Sequence, residues 1–499
     1  MRSLALASGV RRSAAASFLA AGMAVAGPAA ADEVGGAGVG ATQASEGTVV
    51  ERLLDIMLQQ KSISKSQYDE LLDQARREEA AAAARLAGAA ETAKAPETAP
   101  VSSAPPDWEF GWSNGFKLER TDGSAELKFG GRIQADGAII SESNGLDEDL
   151  DALGGNGHGN GVEFRRARLF FEGTVYEQLF FKAQYDFAGG ESAFKDVFVG
   201  VSGLGPVGKV QVGQFKEPFF LDEQTSSNYI TFMERGLNAV FFPDRNVGVM
   251  AMNTAAEKRF LWQLGVFRDT DDFGDAFSNF NRTDWDTALR LTGLPLWSED
   301  GSRFLHLGAG YVHRFRGENE RYRQRPEAHL ADRFVDTGTL AARGADLFDA
   351  ELAWVHGPLS VQSEYTYALL DRNEGGSNVG FWGAYGQVSY FLTGEHKVYE
   401  PDYGRFGRIK PKANFNPAKG GWGAWEIAAR FSYLDLDDRD VRGGQLWDAS
   451  AGVNWHLFPN ARIMLNYIHA DLSGREAASP AFNVGGTGNI VQTRFQVDF

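Results

Sequence analysis

Cysteine is absent from the 499 residues. Its absence excludes disulfide scaffolds, thiolate zinc sites and cysteine nucleophiles. A basic surplus is missing too: 49 Lys and Arg stand against 66 Asp and Glu, a formal charge of −17. Nucleic acid is therefore not expected as a partner, because phosphate binding draws on excess Lys and Arg. Beyond the first 31 residues no stretch approaches the ~18–20 uninterrupted apolar residues of a spanning helix. There is no G-x-S-x-G and no H-E-x-x-H, and the eight His lie scattered without metal spacing. No enzyme, cofactor or metal site is expected. What is abundant is apolar and aromatic residue (43% and 12%) together with 59 glycines, which excludes a wholly disordered chain.

The N-terminal residues 1–31 read as an export signal. Arg2, Arg11 and Arg12 precede an apolar run from Ala14 to Ala26, and Ala29-Ala30-Ala31 offers a cleavage site before Asp32. Residues 32–47 are a Gly/Ala-rich flexible linker. Across 48–80 the apolar residues Val50, Leu53, Leu54, Met57 and Leu58, then Tyr68, Leu71, Leu72 and Ala75, recur at helical spacing. Ser64 with Gln67 resembles a capping box. Such a short stripe cannot bury itself, so a coiled-coil-like periplasmic segment packing against copies of itself is expected, with an unpartnered helical stalk as the alternative. Residues 81–107 form an Ala/Pro-rich linker ended by Pro105-Pro106.

From Trp108 to Phe499 the period changes to two. Leu127, Phe129, Gly131, Ile133, Ala135 and Ile139 share one face, opposite Glu126, Lys128, Arg132, Gln134 and Asp136. Ile427, Ala429 and Phe431 oppose Glu426 and Arg430, and Val491, Thr493, Phe495, Val497 and Phe499 oppose Gln492, Arg494, Gln496 and Asp498. Aromatics mark the ends of these apolar faces, as in membrane girdles, and tight turns such as Phe458-Pro459-Asn460 alternate with long polar loops such as 141–161 and 316–346. The fold class is therefore all-β: a transmembrane antiparallel β-barrel over 108–499. At roughly 24 residues per strand with its loops this gives about 16 strands, and eighteen counts almost as well. Turns on the periplasmic side should be short, and the interior polar and wet, without a core of its own. The inward cations are then Lys128, Arg132, Arg166, Arg168, Lys182, Arg430 and Arg494, and the inward acids Glu126, Asp136, Asp186, Glu426 and Asp498.

Several motifs in order resemble the phosphate-selective porin O and P family. They are Phe164-Arg165-Arg166-Ala167-Arg168-Leu169, Tyr185-Asp186-Phe187-Ala188-Gly189-Gly190 and Val212-Gly213-Gln214-Phe215-Lys216-Glu217-Pro218-Phe219. Thr225-Ser226-Ser227-Asn228, Ile230-Thr231-Phe232-Met233-Glu234-Arg235, Asn246-Val247-Gly248-Val249, Tyr390-Phe391-Leu392-Thr393-Gly394-Glu395 and Gly407-Arg408-Ile409-Lys410-Pro411 follow. The resemblance runs from about 116 to 499. It implies a homotrimeric 16-stranded channel in the outer membrane of a Gram-negative bacterium, in contact with lipid and lipopolysaccharide and passing small anions such as phosphate or polyphosphate. It also implies a third loop, near 219–245, folded into the lumen. By the matching motifs Arg166 and Arg168 are wall cations, Asp196 a wall acid and Arg235 a loop cation; Lys182 is a candidate from alternation alone. Arginine suits the task through its planar fork and permanent charge, and the Ser226 and Ser227 hydroxyls on the infolded loop can donate to an oxyanion. In phosphate-specific members a lysine stands two residues before Thr-Ser-Ser. Here that place is Glu223, which should repel anions.

Weaker signals carry less. Ser62-Ile63-Ser64-Lys65 matches a serine–lysine acylase pattern without supporting motifs. Asp147, Asp149 and Asp151 have the opening spacing of a calcium loop, but Ala152 replaces its glycine. The rival functions are a general non-selective porin, a barrel-wall hydrolase, and an envelope tether acting through 48–80.

Overall fold

The computed structural model describes residues 107–499 apart from 114, 154–159, 191, 272, 275–284, 316–318, 374, 479 and 480, with eight residues between 64 and 77. The expected signal, both linkers (but for Asp107) and most of 48–80 lie outside the described residues. Among the described residues of 48–80, Lys65, Ser66, Tyr68, Asp69, Leu72, Asp73 and Arg77 have helical backbone, and the Tyr68 amide donates to the Ser64 carbonyl at 2.9 Å.

A closed sheet begins at β3 (Ala125–Glu142). It continues through β4 (Gly161–Val175), β5 (Leu179–Asp186), β6 (Ala193–Val201), β7 (Lys209–Lys216), β8 (Arg245–Ala255), β9 (Phe260–Arg268), β10 (Trp285–Trp297) and β11 (Arg303–Phe315). β12 (Leu340–His356), β13 (Leu359–Arg372), β14 (Val379–Phe391), β15 (Ala424–Asp438), β16 (Val441–Phe458), β17 (Ala461–Ala478) and β18 (Ala481–Asp498) complete it. Each pairs antiparallel with its predecessor, and β18 returns to β3 in register from Asp498↔Arg132 to Gly488↔Glu142. That makes 16 wall strands. The wall starts later than Trp108, because β1 (Trp108–Trp112) and β2 (Phe116–Arg120) form a hairpin that extends only the first turn of β3.

Closure follows from which face is greasy. Side chains of the outer face stand exposed although apolar: Val199 57%, Leu264 53%, Phe431 54% and Leu465 50%. Their inward neighbours are buried although charged, as with Arg494 and Glu426, both 0% exposed. This is the inverse of a water-soluble sandwich. In hydrocarbon an unpaired strand edge has nothing to bond, so the sheet must close on itself. No helix among the described residues is long and apolar enough to cross a membrane; the strands do so. At the centre of the nine-residue β9, Leu264→Arg is expected to cost about 2–4 kcal/mol in lipid vesicles. Denaturant unfolding into bilayers would measure it, and a cost below about 0.5 kcal/mol would mean that this face does not meet lipid.

Two expectations about the interior need correction. The lumen does have an apolar core. Phe219, Phe220, Leu237 and Phe241 of the 217–244 segment pack with Tyr322, Phe334 and Val335 of the 316–339 segment and with inward Phe381, Leu434 and Leu446. Alternation reports only which face a residue takes, and here loops fold inward and dry part of that face. Turns at the end holding the chain terminus are also not all short. The 392–423 segment joins β14 to β15 there and enters the lumen. Arg290 Nη2 donates to the Gly404 carbonyl at 2.8 Å, Tyr399 Oη and His306 Nδ1 are 2.6 Å apart, and the Phe406 amide donates to Thr225 Oγ1 at 3.2 Å.

Candidate functional site

β3 and β4 place the first cations. Inward Arg132 stands opposite Arg168, and Gln134 opposite Arg166. The register then slips, so that Ala135 faces Phe164 and Arg165 is left over as a bulge. Both members of the Arg165-Arg166 pair therefore reach the interior. Arg165 donates from Nε and Nη2 to the two Glu234 carboxylate oxygens at 2.9 and 3.0 Å. Arg166 Nη1 donates to Gln134 Oε1 at 2.9 Å. Strict alternation assigns Arg165 to lipid and misses it. The available signal was the Arg-Arg doublet itself, since a guanidinium facing hydrocarbon is too costly to leave there.

The 217–244 segment crosses the lumen on wall side chains. A loop inside a barrel must satisfy its backbone polar groups without a ladder, and the wall supplies the partners. The Leu221 and Asp222 amides donate to Glu364 at 2.7 and 2.9 Å, and the Met233 amide to Asn466 Oδ1 at 2.9 Å. The carbonyls of Ile230, Thr231, Met233 and Glu234 accept from Arg462 (2.8 Å), Asn454 (2.8 Å), Arg494 (2.6 Å) and Arg430 (3.0 Å). Burial alone would raise the Glu234 pKa. Arg165, then Arg166 and Arg494, instead hold this loop carboxyl well below the usual range.

The sequence-selected residues divide by charge compensation. Arg168 is bound to Asp186 at 2.7 Å, Lys182 to Glu172 at 2.9 Å and Asp196 to Arg245 at 2.8 Å. Arg235 binds Glu223 at 2.6 Å. Arg430 holds Glu327 of the 316–339 segment, its Nε at 2.9 Å, and so serves as that segment's anchor. Arg132, Arg166 and Arg462 make no ion pair among the described residues. Arg132 Nη1 donates to Ser227 Oγ at 2.7 Å, and Arg462 Nη2 donates to the Ser227 carbonyl at 3.2 Å. Ser227 thus accepts from a cation and keeps its own proton to donate. Ser226 is turned to its own loop, its Oγ accepting from the Asn228 amide at 3.4 Å. Lys128 makes no ion pair either and lies within electrostatic reach of Glu172. Arg462 came from no motif; its strand neighbours Ala461 and Ile463 hid one inward cation in an apolar stretch. Next to Ser227 a small cleft is lined by Asn228, Tyr229, Arg408, His456, Arg462 and Gln496, among others.

One acidic group was not visible in the spacing. Carboxylate oxygens of Asp349, Glu351 and Glu364, from β12 and β13, lie within 4.8 Å of one another. Glu351 is already held by Arg290 at 2.6 Å and His306 at 2.9 Å, while Glu364 accepts the two loop amides above. The trio docks the loop rather than presenting free ligands.

A family model described as phosphate-selective porin O and P matches residues 133–499. An uncharacterized protein of Caulobacter vibrioides is 30% identical over 414 residues, covering 81% of this chain and 79% of the relative. Porin O of Pseudomonas aeruginosa is 25% identical over 403 residues, covering 71% and 85%. Among solved structures, an anion-selective porin from Comamonas acidovorans superposes with a TM-score of 0.46 at 12% identity, over 75% of this chain and 100% of that one.

Proposed function

Since the chain belongs to the phosphate-selective porin O and P family, and is thus an outer-membrane porin, we propose that it passes small anions along the wall formed by β17, β18, β3 and β4. The observation that carries this reading is the group around Ser227. Arg132 and Arg462 bond Ser227 directly, Arg166 joins them through Gln134, none of the three forms an ion pair among the described residues, and a hydroxyl proton is left to donate. Arg168, Lys182, Arg235, Arg430 and Arg494 are by contrast each bonded to an acid. The excess positive potential is therefore local and sits where screening by water is least. An anion entering gives up hydration and regains it from guanidinium forks and Ser227; several weak contacts in series let it leave again. The preferred solute class on this chemistry is a small oxyanion such as inorganic phosphate. The Glu223 ion pairs favour a second reading, a porin of weak specificity. The channel is further proposed to work as a homotrimer, with 48–80 on its periplasmic side.

Reversal potential across a planar bilayer in a salt gradient tests the proposal. The expected sign is that of anion preference, with added phosphate reducing chloride current. Preference for the cation would overturn it, and anion preference without any phosphate block would leave the weakly specific porin.

A further inference from the structure

Where β7 runs into the 217–244 segment, a carboxylate sits in the midst of converging cations. Glu223 lies on a short helical turn, α1 (Leu221–Gln224), and is 7% exposed. Its Oε1 is 3.0 Å from Lys216 Nζ, and its Oε2 is 2.6 Å from Arg235 Nε. Lys216 Nζ also donates to the Glu223 carbonyl, and Arg235 to the Asp222 and Thr225 carbonyls at 3.0 and 3.2 Å. Arg245 on β8 is occupied separately, by Asp196 at 2.8 Å and Asp244 at 3.5 Å. Three cations thus face three carboxylates, but Glu223 is the one acid bonded to both Lys216 and Arg235.

Two carboxylate oxygens held between an ammonium and a guanidinium imitate the way two oxygens of a phosphate are held between the same donors. We propose that Glu223 is a tethered counter-anion: it fills the anion position between Lys216 and Arg235 and keeps the channel's affinity for free oxyanions low. The inference rests on the anion-channel reading above and adds the residue that tunes it. A side chain attached at the site competes at a high effective concentration. A permeant anion meets Lys216 and Arg235 already occupied, binds more weakly there and passes on. With the Glu223 charge removed, both donors turn to the lumen with a net positive charge.

Glu223→Gln removes the charge and keeps the shape. Chloride current through the purified full-length channel is titrated with inorganic phosphate in a planar bilayer. The half-blocking phosphate concentration is expected to fall at least about tenfold relative to wild type, equivalent to about 1.4 kcal/mol. Adding Lys216→Gln to that variant should reverse the gain. A merely structural ion pair would lower thermal stability in both variants and leave the block where it was. Should Glu223→Gln not assemble, Glu223→Ala removes the same charge with a smaller side chain and carries the same expectation. Block within about twofold of wild type in an assembled variant overturns the inference. The two readings fail separately: a wild type that does not prefer anions sinks the channel proposal, whereas an anion-preferring wild type matched by its Glu223 variant sinks only this one.

Discussion

Replacing Arg132, Arg166 and Arg462 together by glutamine is expected to bring the anion-to-cation permeability ratio to about one or below, with the barrel still assembled. Each of the three lacks an ion pair among the described residues, and each keeps polar contacts that glutamine can replace in part. A unit charge several ångströms from a passing ion contributes about 2–3 kcal/mol at an effective dielectric near 20, and less once salt screens it. Arg132→Gln alone, which also loses the bond to Ser227, should weaken phosphate block about tenfold. A triple variant with unchanged ion preference would show that selectivity is set elsewhere.

Arg494→Met is expected to destabilise the barrel by about 3–5 kcal/mol, the cost of leaving buried charge without its partner. Arg494 is 0% exposed. Its guanidinium donates to both oxygens of Asp136 at 2.7 and 2.6 Å, to Glu234 at 2.8 Å and to the Met233 carbonyl at 2.6 Å. One side chain on the last strand therefore ties the barrel seam, through Asp136 on β3, to the loop that crosses the lumen. Lysine cannot substitute, because a single ammonium has no planar fork to span these acceptors. The midpoint of heat-induced unfolding, read as the band shift of the folded barrel in gels, would report the loss. A midpoint matching wild type would mean that neither the seam nor the loop depends on this residue. Conductance of whatever fraction assembles should be noisier, since the 217–244 segment loses its bonds to Arg494 at Met233 and Glu234.

Much of the wall was readable from residue order, for a local reason. A strand turns successive side chains to opposite faces, so Val491, Thr493 and Phe495 against Gln492, Arg494 and Gln496 already states that one side is dry and the other wet. The absence of a long apolar helix then leaves strands as the means of crossing. The doublet Arg165-Arg166 is the point at which this reasoning fails: a bulge breaks the period, and only pairing with β3 reveals it. The interior failed more widely. The polar segment 316–346 reads as a long external loop, yet Tyr322, Phe334 and Val335 are buried in the lumen, because loop burial depends on whether distant side chains offer partners.

By itself the sequence determined the architecture: a period of two over nearly four hundred residues, polar and apolar faces, and the motifs of a porin family. It also determined which residue types the strands turn inward, the bulged Arg165 apart. Only the tertiary structure decided which of those charges still act on a passing ion. Arg494 and Asp136 are 358 positions apart, and Arg430 and Glu327 are 103 apart. Neutralisation of a charge falls off within a few ångströms, whereas the order of residues along a strand carries no record of what is folded against it from across the barrel.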